Sequence, residues 1–190
     1  MKDAILYKML RPLITGVYKL FFTPKFIGIE NIPSSGRVLL AGNHTSNFDA
    51  PLLISATKRN VHFLAKKELW DGPKKIIFAN MGLIPVDRKN KDGNALIMAE
   101  RYLKNEKLVG IFPEGTTEKT GEMLKFKKGA VKMAMDTDSP IVPFVITGKY
   151  KLFSNDLTIK FLKPIKCDGD IKEETERLMN IIKKERENLR

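Results

Sequence analysis

Residues 37–49 read RVLLAGNHTSNFD. Within residues 37–43 the apolar run Val38-Leu39-Leu40-Ala41-Gly42 is of strand length, which predicts a buried β-strand. The chain then turns polar for six residues, and residues 51–58 resume with a helical pattern opened by Pro51. A buried strand, a polar loop and a helix form the first half of a βαβ unit. The same alternation continues outward in both directions. Strands are predicted at residues 26–29, 61–65, 83–86, 108–112, 141–147 (broken at Pro143) and 157–162. Helices are predicted at 73–80, 93–104, 129–137 and 171–189. This order predicts an α/β fold: a mostly parallel central sheet flanked by helices. Ligands of such sheets gather where strands end at their carboxyl side.

Residues 1–22 stand apart. Ile5, Met9, Leu13, Val17 and Phe21 recur every fourth position, and Lys8, Arg11 and Lys19 interrupt the apolar face. The segment lacks the roughly 18 uncharged residues of a membrane span. It predicts an amphipathic helix at a membrane interface, kinked or divided by Pro12; a helix packed on the protein's own core is the alternative. Residues 23–190 then form one α/β domain that ends in an amphipathic helix.

Composition removes several chemistries. Of 190 residues one is cysteine and two are histidine, so disulfide frameworks, zinc ribbons and multi-histidine metal sites are not expected. No G-x-S-x-G, G-x-G-x-x-G, P-loop or H-E-x-x-H pattern occurs. Charge is uneven: residues 1–167 hold 28 basic and 15 acidic residues, a net +13, whereas residues 168–190 are net −1. Such an excess suits an anionic partner. A nucleic-acid partner is disfavoured because Phe126 is almost alone as an aromatic within a basic run.

Four groups stand at predicted strand ends. His44 follows the strand at 37–43, and Asp49 lies five residues on, where a turn can bring its carboxylate to the imidazole. A helix cap from Asp49 or Ser46 is the structural alternative. Gly82 to Arg88 ends a strand in a guanidinium suited to phosphate, or to pairing with Asp87 or Asp92. Phe112-Pro113-Glu114-Gly115-Thr116 makes a tight turn with open N–H groups, and Lys125, Lys127 and Lys128 precede a helix where an anion could rest. Val142, Pro143 and Phe144 lie in the fourth group, an apolar strand that by itself reads as plain core.

In this order the groups read N-H-x-x-x-x-D, G-x-I-x-x-x-R, F-P-E-G-T and an apolar V-P strand. Over residues 26–144 the chain resembles the glycerolipid acyltransferase family, specifically its bacterial 1-acyl-glycerol-3-phosphate acyltransferases. The resemblance implies acyl transfer from a thioester to lysophosphatidate, giving phosphatidate in phospholipid biosynthesis. His44 would be general base and Asp49 its orienting partner. Arg88, Glu114, Gly115, Thr116, Lys125, Lys127 and Lys128 would form the acceptor phosphate and glycerol site, and Val142, Pro143 and Phe144 the acyl groove. No metal or cofactor is implied; acyl-CoA or acyl carrier protein is the cosubstrate. The implied partners are a lysophospholipid and an anionic membrane, with the protein peripheral at the cytoplasmic face of the cell membrane. The family's arginine after F-P-E-G-T is Thr117 here, so a phosphate ligand is missing or comes from Lys119, Lys125, Lys127 or Lys128. Alternatives are another lysophospholipid or glycerol 3-phosphate as acceptor, or a non-enzymatic, basic membrane-surface binding protein.

Overall fold

The computed structural model describes residues 5–70, 78, 80–87, 93–117 and 121–189. Helix α1 spans Ile5–Val17 and passes into a π-helical turn at Tyr18–Phe22. The strands are β1 Lys25–Ile27, β2 Val38–Gly42, β3 Val61–Lys66, β4 Ile84–Val86, β5 Leu108–Ile111, β6 Ile141–Thr147 and β7 Thr158–Phe161. Between them lie α2 Asp49–Ala56, α3 Asn94–Lys104 and α4 Gly129–Asp136, and the chain ends in α5 Ile171–Asn188. The expected helix at 73–80 falls mostly outside the described residues.

The sheet runs β1-β7-β6-β2-β5-β3-β4. β6, β2, β5, β3 and β4 are mutually parallel, and β7 is antiparallel to β6. The expected α/β architecture is therefore present. Alternation along each central strand feeds two cores. Val38 and Leu40 pack with α1 and α2, whereas Leu39 and Ala41 face α3, α4 and α5. Burying each leucine contributes roughly 1.5–3 kcal/mol. At the strand's end, a Cβ on Gly42 would lie 2.3 Å from the Phe144 carbonyl oxygen, so β2 and β6 approach there only with glycine.

Two proline expectations differ from the structure. β6 runs unbroken through Pro143. The Ile141 N–H donates to Ile165 O, and Leu162 N–H donates to Pro143 O. Pro143 thus faces Leu162, one residue past the end of β7, so the one bond a proline cannot donate is lost at the end of the ladder and not within it. Pro12 does not divide α1, which runs through it with the ring at an exposed position.

Helix α1 has two apolar sides. Tyr7 and Tyr18 are buried, Tyr7 Oη donates to Arg59 O at 3.1 Å, and Arg11 Nε donates to Thr57 O at 2.7 Å. Burial pushes the Tyr7 phenol up to about 12. Opposite, Met9, Leu13 and Leu20 are exposed. No helix among the described residues is long and apolar enough to cross a membrane.

Candidate active site

The loop leaving β2 folds back on a single carboxylate. Asp49 is fully buried, and Asp49 Oδ2 accepts from Thr45 N at 2.6 Å and Ser46 N at 2.8 Å. His44 Nδ1 lies 2.8 Å from the same oxygen. Asp49 Oδ1 accepts from Thr45 Oγ1 at 3.1 Å and from Tyr150 Oη at 2.5 Å. These donors satisfy an acceptor-only group that could not otherwise be buried. The carboxylate thus faces backward onto the His44 loop, and α2 has no side-chain cap. An Nδ1 set against a carboxylate carries the ring proton, which leaves Nε2 as an acceptor.

His44 is also held from its face and its main chain. The Phe112 ring stacks on the imidazole at 4.0 Å with 14° between planes, and Phe63 stacks behind Phe112 at 6.0 Å. The His44 N–H donates to Glu114 Oε1 at 2.8 Å, while Leu124 N–H donates to Glu114 Oε2 at 2.8 Å. Glu114 is buried, and burial raises its carboxyl above the ordinary value, opposed by those two N–H groups and by the charges of Arg186 and His44.

Beside His44 opens a cavity of about 300 Å³ at the carboxyl ends of β2, β3, β4 and β5. Leu64, Val86, Leu96 and Ile111 give it an apolar wall, and Gly115 and Lys127 bring polar groups to it. Gly115 has φ +74°, and a Cβ there would lie 2.5 Å from Lys127 Nζ. The turn and the ammonium's approach both use the missing side chain. Lys127 N–H donates to Pro113 O at 2.9 Å, pinning this lysine to the turn.

The structure thus brings His44, Asp49, Glu114, Gly115 and Lys127 together. Glu114 has both oxygens occupied by main-chain N–H groups. Thr116 is exposed and is not part of the cavity wall. Lys125 and Lys128 line a different cavity, against Lys172 and Met179 of α5. Val142, Pro143 and Phe144 are buried in β6 and do not line the His44 cavity; Phe144 instead meets the Phe112 ring edge-on at 5.8 Å. Arg88 and Lys119 lie outside the described residues. The other histidine, His62, is buried in β3 with Nδ1 2.8 Å from Gly82 O.

Three contributors escape sequence reasoning: Phe112 as the surface under the imidazole, Tyr150, and Asn43. Asn43 joins β2 to β6, donating to Ile146 O at 2.9 Å and accepting from Ile146 N at 2.8 Å. Asn43 and Phe112 at least sit inside the quoted patterns; no local signal marks Tyr150.

Comparison with known proteins gives a consistent picture. A family model described as Acyltransferase matches residues 23–147. A 1-acyl-sn-glycerol-3-phosphate acyltransferase of Borreliella burgdorferi is 32% identical over 133 residues, covering 68% of this chain and 53% of that protein. One from Cocos nucifera is 31% identical over 150 residues, covering 71% and 48%. The crystal structure of the 1-acyl-sn-glycerophosphate (LPA) acyltransferase of Thermotoga maritima superposes with a TM-score of 0.78 at 25% identity, covering 96% of this chain and 80% of that one. The chain spans about half the length of the curated relatives it matches.

Proposed function

The chain belongs to the acyltransferase family, and from that premise we propose that it transfers an acyl chain from a thioester to the free hydroxyl of lysophosphatidate, making phosphatidate. The observation that carries the reading is the His44 ring. Asp49 fixes it at Nδ1 and Phe112 at its face, and Nε2, without a protein partner among the described residues, stands beside an apolar cavity. The names of the relatives point to the same acceptor.

In this mechanism Nε2 takes the proton of the acceptor hydroxyl as its oxygen bonds to the thioester carbonyl carbon. The tetrahedral intermediate collapses, the C–S bond breaks, and the departing sulfur takes the proton from the imidazolium. A thioester is already activated, so no covalent enzyme intermediate is needed. Asp49 stabilises the imidazolium, and such general-base help contributes about 10²–10⁴ in rate. Lys127 meets the acceptor phosphate, with Arg88 as the second cation. The acyl chain lies along Leu64, Val86, Leu96 and Ile111, in place of the groove expected at residues 142–144; each buried methylene contributes about 0.8 kcal/mol.

The donor is acyl-CoA or acyl carrier protein; both are acidic, and the net +13 of residues 1–167 suits either. The exposed face of α1 and the turn after it, with Met9, Leu13 and Leu20, rests on an anionic bilayer and holds the protein peripherally at its cytoplasmic face. The test is incubation of purified protein with labelled acyl thioesters and a panel of lysolipids and glycerol 3-phosphate. Phosphatidate should form. Ester formation with no acceptor would overturn the enzymatic reading and favour a membrane-surface binding protein.

A further inference from the structure

Two phenols from outside the four sequence groups close on the turn that carries Asp49. Tyr150, which follows β6, donates to Asp49 Oδ1 at 2.5 Å. Tyr18, in the π-helical turn after α1, donates to the carbonyl of Phe48 at 2.7 Å, one residue before Asp49. The Tyr18 and Tyr150 rings meet edge-on at 6.5 Å, and Phe22 and Phe48 lie 6.0 and 5.7 Å from Tyr150. Burial and the neighbouring Asp49 charge push the Tyr150 phenol well above its ordinary value, so it remains a donor.

The other donors to Asp49 are Thr45 and Ser46. They belong to the same loop as His44 and move with it, so they cannot fix the pair relative to the sheet. Among the described residues, two bonds join the pair itself to other strands: Glu114 accepts from the His44 main chain, and Tyr150 donates to the Asp49 side chain. The imidazole is braced from β5 and the carboxylate from β6. We propose that Tyr150, backed by Tyr18, is a positioning residue that keeps Asp49 Oδ2 in line with His44 Nδ1, which makes the N-terminal turn part of the catalytic apparatus. Neither phenol lines the His44 cavity, so the effect falls on the chemical step and not on substrate binding.

The kinetic half of this inference rests on the acyl-transfer reading; the spectroscopic half does not. Tyr150→Phe and Tyr18→Phe keep the rings, and with them the aromatic packing. In the substrate-free whole chain, the downfield proton resonance of His44 Nδ1–H, assigned by its loss in His44→Ala, should be present in wild type and broadened or lost in Tyr150→Phe. With labelled acyl thioester and lysophosphatidate, kcat should fall at least about tenfold, part of the 10²–10⁴ that a general base supplies, with both KM values within about twofold. Tyr18→Phe should show a smaller loss of the same kind. An unchanged resonance, a loss confined to KM, or a lower unfolding temperature with kcat per folded molecule intact would each overturn the positioning role. If wild type transfers no acyl chain, the acyl-transfer reading fails, and the resonance alone still decides whether Tyr150 positions the pair.

Discussion

The main-chain N–H of His44 donates to Glu114 Oε1 at 2.8 Å, across 70 residues of chain. Glu114 therefore ties the His44 main chain to the turn after β5, and its second oxygen is taken by Leu124 N–H. Glutamine at 114 keeps one accepting oxygen and turns an amide N–H₂ toward the other donor. Removing a buried charge offsets the lost bond, so Glu114→Gln should change stability by less than about 1 kcal/mol. Displacing the His44 main chain should lower turnover about 10–100-fold. The pH dependence separates the two effects. Burial raises the Glu114 carboxyl, so its contribution favours the fold in acid and is lost as pH rises through that raised value. Urea unfolding from the ordinary carboxylate range upward should show this decline in wild type and not in Glu114→Gln. Equal slopes would show that Glu114 does not titrate with folding.

The three lysines of residues 125–128 divide between two cavities, and their variants should divide as well. Lys127 stands at the His44 cavity, whereas Lys125 and Lys128 face α5. Lys127→Ala should raise the acceptor KM about tenfold, the loss of one charge-assisted phosphate contact. Lys125→Ala should leave the acceptor KM within about twofold. Steady-state kinetics with varied lysophosphatidate distinguish them, and the reverse order would move the phosphate site toward α5.

The N-terminal helix should yield two separable phenotypes. Leu13→Asp and Leu20→Asp lie on its exposed side and should weaken co-sedimentation with anionic vesicles without lowering the unfolding temperature. Tyr7→Ala removes a buried ring whose hydroxyl also accepts from Val61 N, and should cost about 3 kcal/mol of stability. Vesicle binding that survives both aspartates would remove α1 as the membrane contact.

The central sheet was legible because its strands are buried on both faces and read as unbroken apolar runs, as at Val38–Gly42. The His44–Asp49 pair was legible because a five-residue loop brings both ends to one place. Spacing did not tell which of Lys125, Lys127 and Lys128 would face the histidine; the bond from Lys127 N to Pro113 O decides that, and it joins separate segments. Tyr150 was invisible for a stronger reason: its partner lies 101 residues away, and nothing near it in sequence marks the contact. Val142 to Phe144 do not line the His44 cavity because β6 is central in the sheet, with both neighbours in place and its side chains in the two cores. The cavity wall comes instead from β3, β4, β5 and α3, where the chain's apolar residues reach the strand ends.

The most direct measurement is acyl transfer to lysophosphatidate by purified wild type and His44→Ala, with thermal unfolding of both recorded alongside. His44 follows β2 and does not belong to either core, so its removal should leave the unfolding temperature close to that of wild type. Loss of the base should lower turnover at least about 10²-fold, or about 3 kcal/mol of barrier. Asp49→Asn should fall with it, because an amide cannot stabilise the imidazolium. A folded His44→Ala protein that still makes phosphatidate at the wild-type rate would contradict the account.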